Sequence, residues 1–246
     1  MNATMTPMMR QYIEIKEKYS DCILLYRLGD FYEMFFDDAK LISKELELVL
    51  TGRDCGLSER APMCGIPYHA IDGYLAKLIE KGHKVAICEQ MEDPSEAKGL
   101  VRRDVIRIIT PGTVIEDRML DESKNNYIAA ILPDEDCVGL AYADVSTGAF
   151  LLMQLAGDHP DGQLLDELAR IQPRQVIAAP TLFLKRYLSK RISASYYLEQ
   201  YGAQAFVLNG AQECLKTHFG VASLDGFGCA ELPYAISAAG ALMRYL

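Results

Sequence analysis

Metal-binding and disulfide patterns are absent from this sequence of 246 residues. Its seven cysteines are scattered and odd in number, none forms a C-x-x-C pair, and the four histidines show no zinc-ligand spacing. Cys55 and Cys64 flank one loop, but two ligands do not make a metal site. We therefore expect reduced, structural thiols and no metal.

Segments that direct a chain into a membrane or out of the cell are also missing. No apolar run approaches the ~20 residues of a membrane-spanning helix. The N-terminus lacks the charged-then-apolar order of a signal peptide. We expect a cytoplasmic protein without a membrane partner. Half of the residues are hydrophobic, and the length allows one large or two ordinary domains.

Nucleotide-binding and catalytic signatures are not found either. The P-loop pattern G-x-x-x-x-G-K-[ST] cannot be matched, since Gly-Lys-Ser/Thr does not occur in the sequence. No Ser-His-Asp or Cys-His arrangement stands out. The chain by itself is predicted not to be an enzyme and to need no cofactor.

Positive charge is scarce, with 25 Lys and Arg against 34 Asp and Glu and a net charge of −9. This balance argues against nonspecific binding dominated by phosphate contacts. In one segment, 98–107, four cations face only Asp104: they are Lys98, Arg102, Arg103 and Arg107. The segment is either a solvated strand edge or a phosphate-contacting patch, and charge alone does not decide.

What the sequence does contain is an aromatic and acidic motif, Phe31-Tyr32-Glu33, after an apolar run and a Gly29-Asp30 turn signal. The pattern predicts strand, turn, strand. Alternation along a strand would place Phe31, Glu33 and Phe35 on one face and Tyr32, Met34 and Phe36 on the other. An aromatic ring beside a carboxylate suits stacking on a flat base and bonding its edge. The alternative is a buried aromatic strand with a solvated glutamate.

The motif and its surroundings resemble the MutS family of DNA mismatch-repair proteins. The matching blocks keep the family's order over most of residues 6–113 and continue more loosely beyond residue 125. They are Leu28–Phe35, Ala61–Ala70, Tyr74–Leu78, Val85–Gln90, Val105–Thr113, Ala143–Gly148 and Gly226–Gly228. The chain therefore resembles the first two domains of that family.

This resemblance implies an α/β fold with two domains. A small mixed-sheet mismatch-recognition domain would span 1–115. A linker would follow at 116–126, where the sequence turns polar. A connector domain with a ribonuclease-H-like sheet would span 127–246.

The resemblance also implies the site. Phe31 would stack on a mispaired base from the minor groove, and Glu33 would hydrogen-bond that base. The residues leave open whether Glu33 accepts as a carboxylate or donates in its protonated form. Candidate DNA-backbone contacts are Arg53, Tyr68 and His69, which lie within the matching stretch, and Lys77, Arg102 and Arg103, which are chosen on their charge. His69 can equally be a structural histidine.

Partners follow from the same resemblance. They are mismatched duplex DNA and, through the connector, MutL. The family works as a homodimer whose contacts lie mainly in domains outside this chain, so a monomeric fragment is compatible with it. ATP and Mg²⁺ are expected only for the full-length protein.

Periodicity and capping signals predict the remaining elements. In the first half they predict helices over 6–19 and 72–81 and a helix from Asp37-Asp38 with inner residues Ala39, Ile42, Leu46 and Val49. They also predict a loop over 52–61, a charged turn over 93–99, and strands over 84–91 and 101–109. In the second half they predict strands over 127–132, 138–144, 149–155 and 175–179, and helices over 164–171, 182–191, 211–219 and 235–246. The last helix has no stop signal, which suggests a chain cut from a longer one.

Two other functions remain open at this stage. Asp144, at the end of a strand and before Ser-Thr-Gly, could belong to a metal-dependent nuclease. Such a site needs several converging carboxylates, however, and Asp134, Glu135 and Asp136 stand in a predicted turn. The chain could also be an interaction module whose second domain docks a protein partner.

Overall fold

The computed structural model describes residues 5–93, 99–114 and 126–246. The chain divides into two compact units, Met1–Pro111 (unit 1) and Gly112–Leu246 (unit 2). The predicted linker, apart from Asn126, lies outside the described residues, as do Lys98 and most of the charged turn predicted around it. The domain limits given above therefore stay predictions.

Unit 1 is a six-stranded mixed sheet with helices on both faces. The strand order is β3-β4-β2-β1-β5-β6; β1 and β5 are parallel and the other neighbours antiparallel. Its elements are α1 Pro7–Lys18, β1 Ile23–Leu28, β2 Phe31–Phe35, α2 Phe36–Glu45, β3 Thr51–Arg53, β4 Ala61–Pro67, α3 Ile71–Glu80, β5 Val85–Gln90 and β6 Arg103–Ile109.

The turn between β1 and β2 follows from Gly29, whose φ of +58° lies in the left-handed region that glycine adopts at little cost. On one face of the sheet, Tyr12 of α1 packs edge-on against Tyr26 and Phe35, with ring centroids 5.4 and 4.9 Å away. On the other face, the Cys64 thiol lies 3.6 Å from the carbonyl oxygen of Ala39 in α2. Alternate residues of β2 therefore face α1 and α2.

Three local predictions in unit 1 are wrong. Phe36 does not continue β2, because at φ +53° it leaves the strand and begins α2. Val49 is 79% exposed, because α2 ends at Glu45 and Val49 lies beyond the helix that would have buried it. Arg53 lies in a strand and not in a loop, since β3 pairs with the outer edge of β4.

Unit 2 is built on a five-stranded sheet in the order β11-β10-β7-β8-β9. Strands β7, β8 and β9 form an antiparallel meander, while β10 runs parallel to β7 and β11 parallel to β10. The elements are β7 Tyr127–Pro133, β8 Cys137–Asp144, β9 Ala149–Ala156, α4 Pro160–Ile171, β10 Gln175–Ala178, α5 Pro180–Leu184, α6 Arg186–Ser193, β11 Tyr197–Gln200, α7 Leu208–Phe219 and α8 Pro233–Tyr245. This ribonuclease-H-like arrangement confirms the predicted fold class.

Two layers of helices bury this sheet. Leu164, Leu168 and Ile192 of α4 and α6 pack against one set of strand residues, and helices α7 and α8 pack against the other. Every residue of β8, the strand between β7 and β9, is buried. The helix predicted over 182–191 is two helices, α5 and α6, and β11 was not predicted.

Within the described residues, no helix has both the length and the apolar character needed to cross a bilayer. All seven cysteines are unpaired thiols, and six of them are buried. Burial raises the pKa of Cys64 to about 11 and of Cys88 to about 12, which keeps both thiols protonated and unreactive at neutral pH.

Candidate functional site

Phe31 is the exposed aromatic residue of a strand whose other aromatic residues are buried. It begins β2, directly after the turn, and pairs with Leu28 on one side and Pro67 on the other. Phe31 is 45% exposed, whereas Tyr32 and Phe35 are buried. An exposed ring on an inner strand of a sheet is available for stacking on a ligand.

Glu33 lies on the same face as Phe31, two residues along β2 and opposite Gly65 of β4. A Cβ atom built at Gly65 would lie 3.5 Å from Glu33 Cγ and 3.8 Å from Phe31 Cδ1. Both side chains therefore lie on one face, as the spacing in the sequence predicted, and both adjoin Gly65. Gly65 itself was not predicted as a site residue. A glycine inside a strand, which often marks a close approach, was the available signal.

Arg53 contacts Glu33 directly. Its Nη1 donates a hydrogen bond to Glu33 Oε2 at 2.6 Å. The Arg53 side chain is 39% exposed and that of Glu33 14% exposed, so the ion pair is partly shielded from water. Among the described residues, the second carboxylate oxygen, Oε1, has no hydrogen-bond partner.

Tyr68 and His69 lie beside the turn that precedes Phe31. The backbone N–H of Tyr68 donates to the carbonyl oxygen of Asp30 at 2.9 Å, and Tyr68 is 43% exposed. The Arg27 guanidinium stacks on the Tyr68 ring, 3.9 Å from the centroid, and the His69 ring lies edge-on at 5.8 Å. Arg27 was not predicted, because nothing in the sequence separates it from other surface arginines.

On the opposite face of β2, Tyr32 links this strand to β5. Its hydroxyl donates to the carboxylate of Glu89 on β5, and Arg27 lies 3.7 Å from the same carboxylate. Burial, together with this hydrogen bond, raises the pKa of Tyr32 to about 12. Tyr32 therefore remains a neutral donor at neutral pH and holds the strand that presents Phe31.

Lys77 and Arg102 are exposed, but among the described residues neither contacts Phe31 or Glu33. Arg102 precedes β6, which is separated from β2 by β1 and β5. Its backbone N–H donates to Glu92 at 2.7 Å.

Arg103 lies inside unit 1. Its guanidinium donates to the carbonyl oxygens of Arg27 at 2.7 Å and Val101 at 2.9 Å, and stacks 5.1 Å from the ring centroid of Tyr26. A buried arginine whose Nε and Nη1 already donate to groups inside unit 1 is poorly placed to meet a phosphate. Charge counting could not distinguish it from exposed Arg102.

Asp144 in unit 2 caps a turn. Its Oδ1 accepts from the backbone N–H and hydroxyl of Ser146 at 2.9 and 2.6 Å and from Thr147 N at 3.4 Å. Its Oδ2 accepts from the N–H of Asn126 at 3.4 Å. In the part of the chain that the structure describes, no three Asp, Glu, His or Cys side chains could together hold a metal ion. These contacts favour a structural role for Asp144.

Comparison with known proteins gives two family matches. Residues 6–118 match the model of MutS domain I, and residues 126–246 match that of MutS domain II. The chain belongs to the MutS family. Phe31, Glu33 and Arg53 all lie in the stretch that matches domain I.

Curated relatives agree with these matches. The chain is 52% identical to the DNA mismatch repair protein MutS of Symbiobacterium thermophilum, over 99% of this chain and 28% of that protein. It is 48% identical to the MutS of Ruminiclostridium cellulolyticum, over 99% of this chain and 28% of the relative. It is 50% identical to the MutS of Halothermothrix orenii, over 98% of this chain and 27% of that protein. The chain thus spans little more than a quarter of the length of these relatives.

Proposed function

We propose that this chain recognises mispaired or unpaired bases in duplex DNA, with Phe31 as a wedge and Glu33 as its hydrogen-bonding companion. The observation that carries the proposal is the pairing of an exposed ring with a carboxylate over Gly65, in a unit that matches MutS domain I. The other aromatic residues of β2, Tyr32 and Phe35, are buried, so the exposure of Phe31 is not a general property of this strand.

The wedge would work through deformability. Inserting an apolar side chain between base steps unstacks them at a cost of a few kcal/mol per step. A mispaired step has already lost part of its stacking and pairing energy, so kinking it costs less than kinking a matched step. Stacking of the ring on a base returns about 1–3 kcal/mol. The preference for a mismatch then requires no reading of base sequence.

Exposed side chains around the wedge would contact the DNA backbone and hold the wedge in register. We propose Tyr68 and His69, which adjoin the Phe31 turn, and Arg53, beside Glu33. Lys77 and Arg102 remain proposed contacts on exposure and charge alone. Arg103 is left out because its guanidinium is buried and bonded within unit 1.

For the whole protein we propose the further partners that the family implies. Unit 2 would dock MutL, the protein would act as a homodimer, and domains beyond this chain would bind ATP and Mg²⁺. A second candidate function, metal-dependent nuclease activity, has no supporting observation, since the described contacts of Asp144 are those of a turn cap.

Substitution of the wedge tests the proposal. Phe31→Ala is expected to abolish the preference of the chain for a duplex containing a G·T mismatch over the matched duplex. The reason is that the variant keeps every charged contact and loses only the stacking ring. Fluorescence anisotropy titrations with the two duplexes measure the preference.

Tyr187→Ala is the matched control, because Tyr187 is an exposed aromatic residue of unit 2, on α6. It should leave the preference unchanged. If Phe31→Ala retained the mismatch preference, Phe31 would not be the wedge.

A further inference from the structure

The carboxylate in this site raises an electrostatic difficulty. Glu33 would have to approach a polyanion, whose phosphates repel a negative charge. Within the described residues, Arg53 is the one cation at ion-pair distance from Glu33, at 2.6 Å. The charge that Glu33 brings to the DNA is therefore balanced inside unit 1 before any DNA arrives.

We propose that Arg53 is a positioning residue for Glu33: it neutralises the carboxylate and orients it, leaving Oε1 free to accept a hydrogen bond from a base N–H. This rests on the proposed function of Phe31 and Glu33. It selects the acceptor role for Glu33 from the two roles that the sequence left open.

The sheet is built to allow this contact. Glu33 on β2 and Arg53 on β3 are separated by β4, and the Arg53 side chain must cross that strand to reach Glu33. The β4 residues that pair with them are Gly65 and Ala61, which have no side chain and a single methyl group, and Met63 lies between these two on the same face. A side chain at Gly65 would touch Glu33 Cγ and Phe31 Cδ1, so the glycine also keeps the space between them open.

The hydrogen bond uses one Arg53 nitrogen and one Glu33 oxygen. A guanidinium has five N–H donors, so most of those on Arg53 remain for a phosphate or for water. A charge-assisted bond is stronger than a neutral one, and here it holds the Oε2 side of the carboxylate toward Arg53. Arg53 could therefore donate to a DNA phosphate while it keeps its hydrogen bond to Glu33.

A competing description treats Arg53 as an independent phosphate contact. Removing Arg53 would then weaken DNA binding by the same factor whether residue 33 carries a charge or not. If Arg53 also acts through Glu33, its removal should be much more harmful while the carboxylate is present than after Glu33→Gln. The two descriptions therefore differ in additivity, which a double-mutant cycle measures.

The experiment compares the unsubstituted chain with Arg53→Met, Glu33→Gln and the double variant, each titrated with G·T-containing and matched duplex at low salt. Arg53→Met is expected to weaken binding of both duplexes about tenfold. Glu33→Gln should strengthen binding of the matched duplex, because it removes the repelled charge. The double variant should bind within about threefold of Glu33→Gln.

Arg60→Met is the matched control, since Arg60 is an exposed arginine that directly precedes β4 and has no described ion pair with Glu33. It should not show rescue by Glu33→Gln. Rescue also excludes simple misfolding, because a variant that failed to fold would not regain affinity through a second substitution.

Equal losses from Arg53→Met in the presence and in the absence of Glu33→Gln would overturn the role of Arg53 and leave the wedge intact. If the unsubstituted chain itself bound the G·T-containing and the matched duplex equally well, the proposed function would be overturned, and this inference with it.

Discussion

Three charged side chains, Arg53, Arg103 and Asp144, differ mainly in what they contact. Arg53 reaches a carboxylate and keeps part of its surface in water. Arg103 donates to backbone carbonyls inside unit 1. Asp144 accepts four hydrogen bonds around a turn. Composition treats all three as surface charges, so local charge counts could not predict which of them serve the site.

Asp144 gives a prediction at this scale. Burial alone would raise the pKa of this carboxyl, but the hydrogen bonds from Ser146, Asn126 and Thr147 together bring it below the usual value of 3.8. Because the pKa of Asp144 is lower in the folded than in the unfolded protein, its ionised form stabilises the fold. This stabilisation is fully present at pH values above the unfolded-state pKa and is lost as the pH falls through the folded-state pKa. Asp144→Asn should thus lower the free energy of unfolding of unit 2 by about 1–2 kcal/mol at pH 7 and by distinctly less near pH 2.

Urea unfolding followed by far-UV circular dichroism at both pH values measures this difference, and hydrogen exchange of residues 137–144 assigns it to unit 2. Asp158→Asn, at an exposed position on the same unit, is the control and should change stability little at either pH. A cost that stayed the same at pH 2 would mean that the ionised carboxylate is not what stabilises the turn.

The site itself could be predicted in part. Period-two alternation and the Gly29-Asp30 turn signal placed Phe31 and Glu33 on one face, and both lie there. Gly65 and Arg27 were missed because their roles depend on strands and loops distant in sequence. The Arg53–Glu33 ion pair spans an intervening strand, and no local sequence pattern predicts such a contact.

At the level of elements, long periodic segments were predicted well, whereas two short strands, β3 and β11, were missed. The helix begun by Thr6-Pro7 is present as α1, and the meander of β7, β8 and β9 is present as predicted. Strands β3 and β11 have three and four residues and lie at sheet edges. Their existence depends on pairing with β4 and β10, which outweighs weak local preference.

The contact between β8 and α8 gives a prediction at the element scale. A Cβ atom at Gly139 would lie 2.0 Å from the carbonyl oxygen and 2.3 Å from the carbonyl carbon of Tyr234. Both are backbone atoms, so the strand and the helix would have to separate. Gly139→Ala should lower the free energy of unfolding of unit 2 by about 3 kcal/mol.

Denaturant unfolding of the two alanine variants Gly139→Ala and Gly202→Ala tests this. Gly202 has negative φ, and no atom lies within 4 Å of the position that a Cβ would take there, so its substitution should be neutral or slightly stabilising. If Gly139→Ala were as mild as Gly202→Ala, the close packing of β8 on α8 would not determine stability.

For the molecule as a whole, the net charge of −9 restricts how this chain would bind DNA under the proposed function. An acidic body generates no long-range attraction for a polyanion, and a strongly basic surface is what gives nonspecific binders their affinity. Affinity must then come from short-range contacts at one place. The exposed ring beside Glu33 in unit 1 is such a place.

Salt dependence makes this argument testable. The logarithm of the binding constant falls with that of salt with a slope of about −0.9 per phosphate neutralised. With Arg53, Lys77 and Arg102 as the exposed cations proposed to meet phosphates, the slope for mismatched duplex should be about −3. Phe31→Ala should weaken binding of that duplex without changing the slope, because the ring neutralises no phosphate. Anisotropy titrations over a series of salt concentrations measure the affinity and the slope.

Two outcomes would contradict this prediction. A slope of about −6 or steeper would show that a basic surface beyond these residues dominates binding. A slope altered by Phe31→Ala would show that the ring and the phosphate contacts do not act separately.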